Sequence, residues 1–484
     1  MERKSLYKHK TQTVEEKRNQ RRQEEIDQRK ARREKCVSDK RFRHSVSEDT
    51  DAQGDEISEQ EVIDATNVLL NKEPEKLEAL QTLRRAFAQG TTYIDTFFGQ
   101  ENALTCLVGI LTGNDTDLQL EAAWCVTNIA AGTDDQALAV VKAAAPYLIT
   151  YLSSSSLDLK DQCAWAIGNL AGDSSECRKL LSSQGCVTPL VKLLETDTPN
   201  VVQSAAFALS NLARECNDIA SEIVNAGVIP HLVSRLQDPG VSPKLLSEIA
   251  WVLTYLTSSG EFTNKLVSNG VLKHMVKILV EQADQQDVDV LTPVLRCLGN
   301  ICSGPDEYSI QAFENTKLIP ALVTCLNSEH HHIPKETLWV LSNMTGENTV
   351  CEKVTNGPLL EPILAKLKAA YDIKIEALYL LCNLGCHGEE ACSVLISKGV
   401  VETVAAMLKT HDVELLHLVL SFIEMMLRLT DEGKALFEGS EGVARLEGLE
   451  YHTDEVTRKQ ANELLETYFY IDNNEEGAED ENME

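Results

Sequence analysis

The chain has 484 residues, which is more than one hydrophobic core usually supports, so it must contain several domains or a series of repeats. Its formal net charge of −30 excludes nucleic-acid backbones as ligands for most of the chain and favours basic ligands instead. Aromatic residues make up only 5%, with just 13 prolines and 25 glycines, and this composition favours helices.

The chain begins with a basic arm, predicted at residues 1–46. Residues 1–43 carry 16 Lys/Arg and 8 Asp/Glu, a net charge of +8, whereas the remaining residues hold 29 and 67, a net charge of −38. A highly charged helix is predicted at 14–35, but the absence of apolar heptads argues against a coiled coil. Such an arm can serve as an intramolecular ligand, as a partner-binding segment, or as both. Its charged start predicts no signal peptide and a reducing compartment.

After the arm, residues 47–65 are predicted to be an acidic, disordered linker. A helical repeat domain is predicted at 66–470, and an acidic, disordered tail at 471–484. A closing helix is expected at 457–470, where it would cap the last repeat.

The repeat domain is organised by a period of 40 to 45 residues, which is typical of armadillo and HEAT repeats. One position recurs as Trp124, Trp165, Phe207, Trp251, Arg296, Trp339 and Tyr379. Four residues later stand Asn128, Asn169, Asn211, Tyr255, Asn300, Asn343 and Asn383. Glycine turns that precede amphipathic helices, as at Gly227 and Gly399, favour armadillo repeats. The sequence therefore predicts an all-α, right-handed armadillo-repeat solenoid of about nine repeats.

The recurring aromatic and Asn residues are predicted to face a ligand. Residues at i and i+4 lie on one face of a helix. In the second of these repeats, Ala164, Ile167 and Leu170 fall on another face, as a core would require. An Asn side chain both donates and accepts hydrogen bonds, so it can hold an extended peptide backbone. Indole faces attract Lys and Arg side chains by about 0.5–2 kcal/mol each. The alternative is a structural role for both residue types, although a buried, unpaired amide is costly.

Other classes of site are less well supported. Cys382, Cys386, His387 and Cys392 have no common zinc-finger spacing, and buried thiols are the favoured interpretation. No Ser/His/Asp set, metal site or phosphate loop is evident, so no enzyme activity, metal or cofactor is predicted. No apolar run reaches the ~18–20 residues of a membrane span, so no transmembrane helix is predicted.

These motifs resemble importin-α, the adaptor family that binds basic nuclear localisation signals. The segments 118–132 and 165–173 are similar to its second and third repeats, and Tyr255 and Arg296 match its irregular central repeats. Segments starting at Tyr147 and Pro293 are also similar to a divergent importin-α-like branch named for transmembrane and coiled-coil domains. The resemblance implies a major peptide site at Trp124, Asn128, Gln162, Trp165, Asn169, Asp173, Phe207 and Asn211. It implies a minor site at Arg296, Asn300, Trp339, Asn343, Glu376, Tyr379 and Asn383.

The resemblance also implies partners for both ends of the chain. The arm is similar to an importin-β-binding segment, with Arg18, Arg21, Arg22, Arg29, Lys30, Arg32 and Arg33 as its contacts. Lys40, Arg41 and Arg43 stand where the family has a self-inhibitory Lys-Arg-Arg. The segment 463–470 is similar to the end where the family's export receptor docks. A location in cytoplasm and nucleus follows, with cargo proteins rather than nucleic acid as ligands.

Several departures leave a second function open. Phe207 and Tyr379 replace Trp, which should weaken the binding of Lys and Arg side chains at those two positions. Phe42 interrupts the self-inhibitory run of basic residues. The alternative is an armadillo scaffold that has lost or altered transport and binds another protein.

Overall fold

A computed structural model of the chain describes residue 41, residues 57–71 and residues 74–470. These residues form α-helices, one 3-10 helix and no β-strand, which confirms the predicted all-helical armadillo fold. They divide into two compact units, an N-terminal unit that ends at Met275 and a C-terminal unit that begins at Val276. The acidic tail from residue 471 lies outside the described residues.

The N-terminal unit is built of helices that range from 6 to 18 residues in length. Its helices are Glu59–Leu70, Lys76–Gln89, Thr91–Phe98, Ala103–Leu111, Thr116–Ala130, Asp134–Tyr151, Leu157–Asp173, Ser175–Ser183, Val187–Leu193, Pro199–Ala213, Asn217–Asn225, Val228–Gln237, Pro243–Ser258 and Thr263–Ser268. A further helix, Val271–Gln282, includes the boundary between the units.

In the C-terminal unit, each long helix except the last is followed by two shorter α-helices. Its helices are Val288–Cys302, Asp306–Ala312, Leu318–Leu326, His332–Met344, Asn348–Thr355, Leu360–Ala365, Tyr371–Gly385, Glu389–Ser397, Val400–Met407, Val413–Leu429, Asp431–Gly439, Gly442–Glu447 and Glu455–Tyr468, with a 3-10 helix at Lys366–Lys368. The helix Glu455–Tyr468 is the predicted closing helix, and it begins and ends two residues earlier than expected.

Within each unit, one long helix of every repeat packs on its counterpart in the next repeat; we call these the ladder helices. In the N-terminal unit they are Lys76–Gln89, Thr116–Ala130, Leu157–Asp173, Pro199–Ala213 and Pro243–Ser258. In the C-terminal unit they are Val288–Cys302, His332–Met344, Tyr371–Gly385 and Val413–Leu429, followed by the closing helix. These helices carry the predicted Trp and Asn positions, so the packing aligns those positions from repeat to repeat.

Local sequence signals set the ends of the helices. The side chains of Asp115, Ser156 and Ser242 accept hydrogen bonds from backbone N–H groups in the first turn of three ladder helices. At Gly227 and Gly399 the backbone has φ of 85° and 72°, a left-handed conformation that favours glycine. Each of these two glycines directly precedes a helix, as the sequence predicts.

The core is formed by the faces that the periodicity assigns to it. Ala164, Ile167 and Leu170 are fully buried, which confirms that interpretation. Most of the described cysteines are buried thiols, including Cys382, Cys386 and Cys392 as predicted, and burial raises the pKa of Cys186, Cys325 and Cys392 to about 12 in each case. His387 is hydrogen-bonded to Asn348 Oδ1 and Thr345 O at 2.7 and 2.6 Å.

The predicted linker at 47–65 is too long. A helix begins at Glu59, and Ser58 and Glu61 form a capping box at its start. Val62 and Ala65 are buried in the N-terminal unit. The helical domain therefore begins before residue 66. This start was missed at the sequence level because the segment is acidic in composition.

Candidate functional site

Trp165 and Asn169 lie one turn apart on the ladder helix Leu157–Asp173, and both contact Arg41 of the N-terminal arm. The Arg41 backbone N–H donates to Asn169 Oδ1 at 3.0 Å. The Arg41 carbonyl oxygen accepts from Asn169 Nδ2 at 3.0 Å and from Trp165 Nε1 at 3.1 Å. Both polar backbone groups of Arg41 are therefore hydrogen-bonded by side chains of the predicted major site.

The guanidinium of Arg41 lies between two further ladder helices. Its Cζ stands 4.7 Å from the ring centroid of Phe207, and its Nη1 is 2.5 Å from Glu248 Oε1. The Glu248 side chain is only 5% exposed, whereas that of Arg41 is 40% exposed. The pair is stabilised because a buried carboxylate receives a charge-assisted hydrogen bond.

Glu248 was not among the residues expected at the site. It lies three residues before Trp251 on the ladder helix Pro243–Ser258. A carboxylate within the apolar stretch from Leu245 to Trp251 is a signal that could have identified it, because an isolated buried charge is costly. The matching position two repeats earlier is Gln162, which was predicted and is buried.

The Asn residues also connect successive repeats. The Nδ2 of Asn169 donates to Thr127 O at 3.0 Å, and that of Asn211 donates to Gly168 O at 2.9 Å. In the C-terminal unit Asn343 and Asn383 make the same bond to Gly299 O and Ser342 O, at 3.0 and 2.9 Å. The structural and ligand-binding interpretations of these residues are thus compatible. The amide of Asn169 forms hydrogen bonds with a neighbouring helix and with Arg41 at the same time.

Trp124 is in contact with an arginine of the preceding ladder helix. Arg84 Cζ lies 4.3 Å from the Trp124 ring centroid, and Arg84 Nε is 3.3 Å from Glu121 Oε2. Asn128 donates to Arg84 O at 3.2 Å. Trp124 is only 5% exposed, and burial raises the pKa of the Glu121 carboxyl group although the Arg84 charge opposes this shift.

Asp173 lies one turn beyond Asn169, as expected for a carboxylate beside the major site. It is half-buried, and its Oδ2 accepts from Cys177 Sγ at 3.4 Å. Asn211 stands on the next ladder helix, where it bonds to Gly168 O. Asp173 is thus one turn from Asn169, and Asn211 is one turn from Phe207. Asn169 and Phe207 are two of the residues that contact Arg41.

The predicted minor-site residues all lie on ladder helices of the C-terminal unit, where Trp339, Asn343 and Glu376 are buried and Tyr379 is half-buried. Arg296, which replaces an aromatic residue, is paired with Glu336, with its Nη2 at 3.1 Å and its Nε at 3.2 Å from Oε1. The Trp339 ring packs directly over Gly299, where a Cβ atom would lie 2.0 Å from Cζ3.

The remaining predicted contacts of the arm lie outside the described residues. These are Arg18, Arg21, Arg22, Arg29, Lys30, Arg32, Arg33, Lys40 and Arg43. Among the helices that the structure describes, none is long and apolar enough to cross a membrane.

Comparison with known proteins agrees with this arrangement. A model of the TMCO6 family matches residues 68–468. Importin subunit alpha-9 of Arabidopsis thaliana is 30% identical over 418 residues, which cover 81% of this chain and 79% of that protein. Importin subunit alpha-2 of Oryza sativa subsp. japonica is 31% identical over 419 residues, 81% of this chain and 78% of that protein.

Among solved structures, the crystal structure of an engineered protein from a structural genomics consortium superposes with a TM-score of 0.75. It is 26% identical, and the match covers 84% of this chain and 98% of that one. The fold, the aligned Asn residues and the sequence matches thus agree, and the chain belongs to the importin-α family and, within it, to the TMCO6 branch.

Proposed function

We propose that this chain is a nuclear import adaptor that binds extended Lys/Arg-rich segments of cargo proteins on its ladder helices. The observation that carries the proposal is the contact with Arg41: a basic residue has its backbone bonded by Trp165 and Asn169 and its guanidinium bonded by Glu248. A cargo segment would make the same contacts, because they use the peptide backbone and one basic side chain.

In this function the arm has two alternating states. Arg41, with Lys40 and Arg43, occupies the major site when cargo is absent and is displaced by cargo. Importin-β binds the arm through the basic residues between Arg18 and Arg33, and thereby keeps Arg41 out of the site. The attraction between the arm, at +8, and the rest of the chain, at −38, favours the self-bound state at low salt.

Family membership also supports a proposal for the rest of the transport cycle. The adaptor would move between cytoplasm and nucleus, and an export receptor would bind near the closing helix Glu455–Tyr468. The minor site around Trp339 and Asn343 would hold a second basic cluster of the same cargo. Two linked clusters bind more tightly than one because the second contact is intramolecular.

The proposal is tested by titrating a fluorescein-labelled Lys/Arg-rich octapeptide against the full chain and against a chain that lacks residues 1–46. We expect the deletion to tighten binding by a modest factor, about threefold to tenfold, because the arm no longer competes. Phe42→Arg in the full chain should weaken peptide binding by strengthening the arm's hold. Both differences should shrink at high salt.

Binding of importin-β is measured in parallel with the same two proteins. It should be lost when residues 1–46 are absent. The alternative function is an importin-α-like scaffold without transport activity. That alternative is favoured if neither protein binds the peptide, or if the full chain fails to bind importin-β.

A further inference from the structure

We propose that the slot between Phe207 and Glu248 selects arginine over lysine. This inference rests on the proposed function and specifies the ligand of that same site. It concerns one position of the bound peptide, the position that Arg41 occupies.

The geometry uses two properties that only a guanidinium combines. Arg41 Cζ is 4.7 Å from the Phe207 ring centroid while Nη1 is 2.5 Å from Glu248 Oε1. A flat, delocalised cation can stack on a ring and donate from its edge at the same time. An ammonium group is a compact charge on a flexible chain, so an approach to the carboxylate does not retain the stacking contact.

The aromatic residue strengthens this preference. Phe207 is buried, lies 5.2 Å from the Trp165 ring and packs over Gly168, where a Cβ atom would meet Phe207 Cδ1. Its position is therefore fixed. A benzene ring attracts a cation less strongly than an indole does, so Phe207 offers a lysine ammonium less than Trp would at this position.

Burial of the carboxylate acts in the same direction. The Glu248 side chain is almost fully buried, and its partner must give up water to reach it. A guanidinium is more weakly hydrated than an ammonium and loses less on such a transfer. The cost of removing water thus falls more heavily on lysine than on arginine.

The chain itself follows this rule elsewhere. Glu121 and Glu336, which occupy the same position relative to Trp124 and Trp339 as Glu248 does to Trp251, are paired with Arg84 and Arg296. Both carboxylates are largely buried, at 14% and 4% exposure. Among the described residues, lysines are paired with more exposed carboxylates. Lys335 is paired with Asp372, which is 34% exposed, and Lys277, Lys398 and Lys459 are paired with glutamates that are more than half exposed.

The arm provides a test with a fixed register, because its own residue 41 fills the slot. We would measure the Kd of a fluorescein-labelled octapeptide of alternating lysine and arginine for the full chain, for Arg41→Lys and for Arg41→Ala. Both variants should bind the probe more tightly than the wild-type chain, by on the order of fivefold, since a lysine at this position holds the slot poorly. Arg85→Lys changes an exposed arginine that donates to Gln81 O of its own helix, and this matched control should leave the Kd unchanged.

A second pair of proteins assigns the effect to the carboxylate. In a Glu248→Gln background, the difference in Kd between chains with and without Arg41→Lys should disappear. The inference is overturned if Arg41→Lys binds the probe like the wild type while Arg41→Ala binds it more tightly, because the slot would then respond to charge alone. It is also overturned if Arg41→Ala changes nothing. In both cases peptide binding persists and the proposed binding of cargo stands, whereas a probe that binds none of these proteins refutes both.

Discussion

The side-chain amide of Asn169 is hydrogen-bonded to both polar backbone groups of Arg41, with each N···O distance at 3.0 Å. The same amide nitrogen also donates to Thr127 O of the preceding ladder helix. One side chain thus joins two repeats and holds a residue that is 128 positions away in the sequence.

Replacement of Asn169 tests this double role. Asn169→Ala removes two hydrogen bonds to the bound backbone and one between repeats, each worth about 0.5–1.5 kcal/mol net. In the chain that lacks residues 1–46, we expect the octapeptide Kd to rise by about tenfold or more and the free energy of unfolding to fall by about 1 kcal/mol. Fluorescence anisotropy and urea denaturation measure the two effects.

The exposed Asn225, at the end of the helix Asn217–Asn225, provides the control. Asn225→Ala should leave both quantities unchanged. If Asn169→Ala lowers stability but not peptide affinity, the residue only connects repeats.

Asp173 is expected to contribute a local charge at the major site. Asp173→Lys places a cation one turn from Asn169 and should weaken octapeptide binding by at least about tenfold, or 1.4 kcal/mol. Glu479→Lys makes the same change of net charge in the acidic tail and should have a much smaller effect. Equal losses in an anisotropy titration would mean that general electrostatics, rather than a site, governs binding.

Gly299 is expected to be essential for the packing of the C-terminal unit. Gly299→Ala would place Cβ 2.0 Å from Trp339 Cζ3, so the indole must move, at a cost of roughly 1–3 kcal/mol in the free energy of unfolding. Gly109→Ala is the matched control, because nothing lies within 4 Å of its added Cβ. Because Gly109 is exposed and helical, its replacement by alanine should raise the free energy of unfolding by up to about 1 kcal/mol. Chemical denaturation with Trp fluorescence as the signal distinguishes the opposite signs.

The start of the closing helix is expected to be sensitive to acid. Hydrogen bonds from the backbone N–H and hydroxyl of Thr457, with a further bond from His417, lower the pKa of Asp454 to about 2. Because the folded-state pKa is lowered, the stabilisation is complete above the ordinary value of 3.8 and is lost as the pH falls towards 2. Thermal melts from pH 2 to 6 should show the wild-type chain more stable than Asp454→Asn at pH 6, with the difference vanishing near pH 2. A difference that does not change with pH would contradict this cause.

The sequence predicted the repeat period and the rows of aromatic and Asn residues correctly, because both are local patterns. A residue's place on a helix depends on its spacing from its neighbours, so the buried face with Ile167 and the shared face of Trp165 and Asn169 followed directly from the sequence. The start of the domain at Glu59 was missed because acidic composition outweighed the weaker apolar spacing of Ile57, Val62 and Ala65.

Only the tertiary structure decided which side chains meet. Arg41 and Glu248 are 207 residues apart, and no periodicity relates an arm residue to a particular repeat. The contact of Arg84 with Trp124 likewise depends on how far one ladder helix is rotated against the next. The sequence by itself thus determined an armadillo protein of the importin-α family with its rows of Trp and Asn. The packing of neighbouring helices determined which carboxylates face which arginines, because a spacing rule fixes positions on one helix and not the distance between two.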